Sequence, residues 1–405
     1  MTQNGFKVYG YRWGVLLAFM AIIAVNQLLW ITFAAVTTDA MKFYGVSDLS
    51  IGLLSLSFLG VYIFISFPAS WVIDTCGLRV GIGIGAVLTG VFGLVRGLVS
   101  ANYTLVLLAQ IAIAIGQPFI LNAVTTIAAR WFPMEERATA SGIGSLAIYL
   151  GILVGLALTP YLTLQSGFRG MLMIYGIVSA LAMIVFFLFA RERPPSPPCP
   201  PDQEARSLVL DGLSKMIRQR DFIYLLVIFF VGLGAFNAIT TWIEQIISPR
   251  GFSATQAGDV GGIMIFGGIL GAVILPLLSD RYRKRVPFLL VAILGAALGL
   301  IGITYVTSYF VLLIFSFFFG FFLLSAGPIG FQYAAEITYP APEGTSNGMV
   351  LLMGQISGII FILGLDALKA PVTGSMTLPL LALVVMLAVC LIFGVQLKEA
   401  PARQK

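Results

Sequence analysis

Histidine is absent from all 405 residues, which excludes imidazole metal ligands, histidine-ligated haem and a histidine proton relay from this polypeptide. Cysteine is nearly as scarce. Cys76, Cys199 and Cys390 show no paired spacing, so neither a disulfide framework nor a thiolate metal site is supported. Charge is thin too, with Lys, Arg, Asp and Glu making up 10% of the chain. No nucleophile–base pair, phosphate loop or metal-ligand cluster can be assembled, so the expectation is a non-enzyme without a cofactor. Acids are missing from the middle of every apolar run in the first half. In the second half, Glu244, Asp259 and Asp366 fall near outer ends, where they are read as solvated loop acids or as cation attractors at an external mouth. A proton-driven carrier usually needs a titratable group between its gates, and none is placed for that role.

Apolar residues are what the chain has in quantity. They make up 59% of it, and the mean hydropathy is +1.01. A soluble core cannot absorb that much apolar surface, so the bilayer is the solvent for most of the chain. The N-terminus runs directly into a long apolar span without a small-residue cleavage site, and is read as a retained first helix. One long polar interruption, Arg191 to Asp221, holds 11 of the 40 charged residues and six prolines between Pro194 and Pro201. Such proline density favours an extended path. From Ser207 on, Leu208, Val209, Leu213, Met216 and Ile217 sit among charges, the pattern of a short amphipathic helix on a membrane surface. The expected domains are therefore 1–190, a cytoplasmic linker 191–221, and 222–405.

Polar and Pro/Gly punctuation divides each half into six spans of about 20 residues, long enough to cross a bilayer. They run over 13–36, 49–73, 79–99, 104–127, 138–160 and 170–190, then 222–246, 254–279, 287–306, 309–331, 345–368 and 377–396. The expected fold is an all-α membrane protein of twelve transmembrane helices. With loops assigned alternately, the side carrying both termini and the linker holds 18 of the 23 Lys and Arg residues. Lys42, Arg96, Arg169, Arg250 and Lys369 fall on the other side. The positive-inside rule makes the termini cytoplasmic, so the net charge of +6 is a topology signal and not a nucleic-acid footprint. The expected setting is a prokaryotic inner (plasma) membrane, with a monomer acting on a small molecule and no nucleic-acid partner.

The halves repeat each other. Asp74-Thr75-Cys76-Gly77-Leu78-Arg79 after the second span is matched 206 residues later by Asp280-Arg281-Tyr282-Arg283-Lys284-Arg285. Arg130-Trp131-Phe132-Pro133 and Glu136 after the fourth span are matched 207 residues later by Thr338-Tyr339-Pro340 and Glu343. Two landmarks at nearly one offset argue for a duplicated six-helix unit.

The loop bearing an acid, a glycine and basic residues resembles the G-x-L-x-D-R-x-G-R-K signature of the major facilitator superfamily. Ser70 and Pro276 replace its leading glycine, Thr75 its first arginine and Arg283 its second glycine. The resemblance implies a cytoplasmic gate drawn from Asp74, Arg79, Glu136, Arg137, Asp280, Arg281 and Glu343; topological retention by positive charge is the alternative. A second resemblance covers most of the chain. Phe331 to Pro340 (FQYAAEITYP) followed by Glu343-Gly344-Thr345-Ser346 is similar to the feline leukaemia virus subgroup C receptor-related transporters. So are Phe43-Tyr44-Gly45-Val46-Ser47 and Gly116-Gln117 with Phe119-Ile120-Leu121. Members of that family are associated with choline, ethanolamine, haem or related small molecules.

In a two-half transporter the substrate lies near mid-membrane, so polar and aromatic residues within spans are the candidates. Asn26 and Trp30, four apart, share one helix face. Tryptophan also belongs to the interfacial belt, but the family resemblance implies that Trp30 helps bind a cation over its ring. Gln110 and Gln117 share a face of the fourth span, and interhelical hydrogen bonding is the competing role for both. The resemblance places Gln117 and Gln355 in the binding cavity, whereas the Gly354 and Gly358 neighbours of Gln355 equally suit close helix packing. Asn237 stands where choline-transporting relatives carry tyrosine, which weakens the case for choline; Phe236 or Trp242 would have to supply another wall. Gly151, Gly155 and the Gly261–Gly271 series are read as close helix approaches. The resulting expectation is a facilitative carrier of a small organic cation or zwitterion. A haem or amphiphile exporter, a proton-coupled symporter and a non-transporting ligand receptor are the alternatives.

Overall fold

The computed structural model of this chain describes residues 2–3, 6–133, 136–196, 216–338 and 343–399. Contacts divide the chain into two compact units, Met1–Ser207 and Leu208–Lys405. The first unit contains α1 (Tyr11–Ile31), α2 (Thr37–Tyr44), α3 (Asp48–Cys76), α4 (Leu78–Leu98), α5 (Tyr103–Leu121), α6 (Val124–Trp131) and α7 (Arg137–Phe189). The second contains α8 (Arg220–Thr241), α9 (Ile243–Ile247), α10 (Ala254–Tyr282), α11 (Val286–Tyr305), α12 (Tyr309–Thr338), α13 (Glu343–Ala367) and α14 (Thr377–Val395). A two-residue antiparallel pair, Thr2–Gln3 with Phe6–Lys7, precedes α1.

Eleven helical runs are long and apolar enough to cross a membrane. One of them is α7, whose 53 residues are interrupted at Gly167, with φ 70° and ψ 170°. A straight helix of that length would span about 80 Å at 1.5 Å per residue, far beyond a hydrocarbon core of about 30 Å. The left-handed φ, open to glycine without a Cβ penalty, splits the run into two crossings. Twelve crossings result, as the apolar spans predict, and the fold is all-α.

Helix ends show the internal repeat more finely than the spans do. Gly45 (φ 67°) and Gly251 (φ 89°) close short helical turns in the left-handed region, 206 residues apart. Two residues on, Ser47 caps α3 by accepting the Ser50 N–H at 3.2 Å. Ser253 caps α10 by accepting the Gln256 N–H at 3.3 Å, while Gln256 Oε1 accepts the Ser253 N–H at 2.9 Å. Both arrangements satisfy donors that a helix start leaves orphaned.

Packing repeats as well. α1 and the first part of α7 correspond to α8 and α13; α3 with α5 to α10 with α12; α4 with α5 to α11 with α12; α4 with the end of α7 to α11 with α14. Glycines set the closest approaches. A Cβ on Gly151 would strike the Ala24 carbonyl of α1, and one on Gly271 the Phe321 carbonyl of α12. Such contacts let backbones touch where lipid gives helices no hydrophobic reason to associate. Phe19, Ile22, Phe132 and Phe186 lie in the core of the first unit, whereas Phe64, Trp71, Leu164 and Leu188 face outward, as lipid-contacting side chains do. The amphipathic helix expected from Ser207 lies mainly in 197–215, outside the described residues.

Candidate functional site

Within the first unit, α1 carries two of the expected binding residues and turns them against different neighbours. Asn26 has no exposed surface and donates from Nδ2 to Thr89 Oγ1 of α4 at 3.0 Å. Its Oδ1 accepts from Gln27 Nε2 at 3.3 Å. Trp30 is 4% exposed, and its indole N–H donates to the Ser55 carbonyl of α3 at 3.2 Å. The polar edge of Trp30 is thus committed to protein, leaving the ring face as what it can offer a ligand. Gln117 of α5 is buried and makes no side-chain hydrogen bond among the described residues.

In the second unit, α8 and α13 bring candidates together. Asn237 donates from Nδ2 to the Gly354 carbonyl at 3.1 Å, one residue from Gln355. The Oε1 atom of Gln355 is buried without a hydrogen-bond partner. Phe236 is half-buried on the same stretch of α8, and Trp242 is fully buried with its N–H on the Ile362 carbonyl at 3.0 Å. Trp242 is therefore packed away rather than held as an aromatic wall. A buried amide oxygen without a partner costs free energy that a ligand donor or a water would recover.

The gate candidates separate into different clusters. Asp74 and the Arg79 side chain are exposed, and neither forms an ion pair among the described residues. The acid that organises this end of the first unit is Glu192. Its Oε1 accepts the Leu78 N–H at 2.9 Å and its Oε2 the Arg79 N–H at 2.7 Å, and it pairs with Arg130. Gly77 makes room for it, with φ 99° and with a would-be Cβ 2.9 Å from the Glu192 carboxylate. Glu399 repeats the device 207 residues later, accepting the Arg285 N–H at 3.0 Å and the Val286 N–H at 3.0 Å. Carboxylates at both sites meet the unpaired N–H groups and the positive end of a helix dipole. The sequence repeat contained both glutamates at the matching offset, a signal that attention to the loop acids alone passed over.

Asp280 pairs with Arg285 and not with the exposed Arg281; Arg285 also reaches Glu336 at 3.1 Å. Burial lowers the tendency of Arg285 to hold its proton, but Glu336 and Asp280 outweigh it and raise its pKa above the ordinary value. Glu136 pairs with Arg12 at 2.9 Å, and Arg137 donates from Nε to the Phe132 carbonyl at 3.3 Å. The side chain of Glu343, at the start of α13, lies outside the described residues. Arg283, standing where the signature has glycine, adopts φ 52° and ψ 38° at the end of α10, the conformation glycine would take without strain.

Two expectations need correction. The outer acids are not free charges at a mouth: Glu244 is 3% exposed, Asp259 accepts from the Tyr309 hydroxyl at 2.8 Å, and Asp366 pairs with Lys369 at 2.6 Å. Arg96, counted among the outer-side cations, has no exposed surface; it donates to the Leu29 carbonyl, Gln110 and Thr32. Gln110 accordingly serves as its partner and holds helices together.

The chain matches the Major Facilitator Superfamily model over residues 12–362. It belongs to that superfamily. Among similar proteins, solute carrier family 49 member A3 of Xenopus tropicalis is 32% identical over 395 residues, covering 92% of this chain and 81% of the relative. The choline/ethanolamine transporter FLVCR2 of Homo sapiens is 28% identical over 375 residues, covering 88% and 71%. A bacterial homologue of the human lysosomal transporter Spinster, solved inward-facing and unoccupied, shares the fold with a TM-score of 0.74 at 18% identity, covering 96% of this chain and 97% of that one. The fold and relatives are those of multi-pass membrane transporters acting on small molecules, not of enzymes.

Proposed function

We propose that this superfamily member is a facilitative carrier for a small organic cation or zwitterion of the choline or ethanolamine kind, working by alternating access as a monomer with cytoplasmic termini. The observation that carries the reading is the pair of unspent amides, Gln117 and the buried Oε1 of Gln355, set in otherwise apolar spans. Polar groups are retained at membrane depth chiefly where they serve a pathway. Trp30 supplies an aromatic face for a cationic head, worth about 0.5–2 kcal/mol. Asn26 lies one turn before Trp30 on α1, and Asn237, with Phe236 before it on α8, donates to the Gly354 carbonyl beside Gln355. Relatives named as choline/ethanolamine transporters support the choice of solute. The cytoplasmic gate is assigned to the helix-end residues Asp74, Arg79, Glu136 and Arg137 of the first unit and Asp280, Arg281 and Glu343 of the second. Positive charge favours the terminal side as cytoplasmic.

Counterflow in proteoliposomes tests the reading. Labelled choline and ethanolamine should enter vesicles preloaded with unlabelled solute, and an imposed pH gradient alone should not concentrate either. Binding without exchange would make the chain a receptor; accumulation driven by the pH gradient would make it a proton-coupled symporter.

A further inference from the structure

The first unit buries a cation that the transport reading does not use. Arg96 lies in the last turn of α4 with no exposed surface, and among the described residues no carboxylate pairs with it. Removing a guanidinium from water without a counter-ion is costly, so neutral partners must carry the charge. Nη1 donates to the Leu29 carbonyl at 3.0 Å and to Gln110 Oε1 at 2.7 Å, and Nη2 donates to Thr32 Oγ1 at 3.3 Å. The Phe33 ring centroid is 5.5 Å from the guanidinium carbon. Gln110 Nε2 donates to the same Leu29 carbonyl at 3.1 Å, and the Thr32 hydroxyl donates to the Leu28 carbonyl at 2.8 Å.

Those two carbonyls lie in the final turn of α1, which stops at Ile31 before a 3-10 turn at Ala34–Val36. A helix runs out of its own N–H donors there. At the Leu29 carbonyl side chains from α4 and α5 take their place, at the Leu28 carbonyl the Thr32 hydroxyl does, and a cation suits the negative end of the dipole. The adjoining residue is Trp30. An ion-binding role does not fit, because the remaining Nε is buried without a partner and sealed from any water-sized space. We propose that Arg96 is a positioning residue which, with Gln110, locks the end of α1 through the Leu29 carbonyl and so sets the Trp30 ring for ligand. The functional half of this rests on the reading of Trp30 as ligand-facing.

Fluorine NMR of the full chain labelled with 5-fluorotryptophan tests it, since the five tryptophans give one line each and Trp30→Phe identifies the relevant one. Arg96→Gln should shift the Trp30 line and leave those of Trp71 and Trp242 in place. It should also weaken choline binding about tenfold while sparing the maximal counterflow rate, as loss of hydrogen bonds to a charged group implies. Arg96→Lys keeps the charge without the planar fork and should not restore the line. Gln110→Leu removes one donor to Leu29 and one acceptor of Arg96 but leaves Arg96 on Leu29 and Thr32, and should shift the same line less, which keeps the proposal testable if Arg96→Gln does not fold. An unmoved Trp30 line in a folded variant that has lost only thermal stability would overturn the proposal, as would full rescue by Arg96→Lys. If the wild type binds no choline, the ligand reading of Trp30 falls, while the fluorine line still decides whether Arg96 sets the ring.

Discussion

Replacing Glu192 and Glu399 by glutamine, one at a time, asks whether two matched devices differ by the amount their surroundings dictate. Each carboxylate meets two backbone N–H groups at a helix start, and each glutamine keeps one acceptor oxygen while losing the charge. An anion at an exposed helix N-terminus is worth about 0.3–1 kcal/mol, which is the expected cost of Glu399→Gln. Glu192 additionally pairs with Arg130, and a partly exposed ion pair adds about 0.2–1 kcal/mol. Glu192→Gln should therefore cost about 0.5–2 kcal/mol. For units near 200 residues, each kcal/mol moves an unfolding midpoint by about 2–4 °C. Thermal unfolding followed by intrinsic fluorescence should rank wild type above Glu399→Gln, and Glu399→Gln above Glu192→Gln. Raising salt from 0.15 to 1 M shortens the screening length from about 8 to about 3 Å and should narrow the gap. In an Arg130→Gln background the gap should narrow to what the lost N–H acceptor at Glu192 costs, since each Glu192 oxygen takes its own N–H whereas Glu399 Oε1 takes both. A larger loss at Glu399, or a gap at Glu192 left undiminished by removal of Arg130, would refute the reasoning.

Arg283→Gly should raise thermal stability by about 0.5–1 kcal/mol, because a left-handed φ of 52° penalises a side chain that touches nothing needed, and an unchanged or lowered midpoint would show otherwise. Gly271→Val should lower stability by about 1–3 kcal/mol through collision with the Phe321 carbonyl, whereas Gly364→Val, where an added Cβ meets nothing, should stay within about 0.5 kcal/mol in the same assay.

Much of this fold is legible in the sequence because the bilayer imposes one coarse rule, about 20 apolar residues per crossing. Gly45, Gly251, Ser47 and Ser253 could also be read, since each answers a local backbone demand. The break inside α7 is legible as well, since Pro160, Thr163, Gln165, Ser166 and Arg169 separate the apolar spans 138–160 and 170–190, and the structure adds only that Gly167 makes the turn through its φ. Arg96 was illegible. An arginine three residues from a helix end is ordinarily a snorkelling charge, and its true partners, Leu29 and Gln110, come from distant stretches that nothing in the linear pattern connects. Asp74 and Arg79 mislead the other way. Their signature suggests a pair, yet the carboxylate that reaches this helix start arrives from the far end of α7.

The binding candidates differ in a way that stability can expose before any ligand is known. Asn26 and Asn237 are spent: each donates to a protein acceptor, Thr89 Oγ1 and the Gly354 carbonyl. Leucine at 26 leaves Thr89 Oγ1 and Gln27 Nε2 buried and without those partners, a loss of about 1–3 kcal/mol, whereas leucine at 237 should cost less because the Gly354 carbonyl still accepts from the Ser357 hydroxyl. Gln117 and Gln355 are unspent, one without a side-chain hydrogen bond among the described residues and the other with a buried, unpartnered Oε1. Leucine there removes a polar group that the protein does not satisfy, so stability should hold or rise by about 0.5–2 kcal/mol, the increment typical when a functional residue is traded for a packed one. Binding should move the opposite way. Choline or ethanolamine should stabilise wild type against heating, and that ligand-dependent shift should vanish in Gln117→Leu and Gln355→Leu while persisting, over a lower baseline, in Asn26→Leu and Asn237→Leu. If the glutamine variants were destabilised and kept their ligand shift, Gln117 and Gln355 would be helix glue, and the substrate would have to be sought along other faces of α5 and α13.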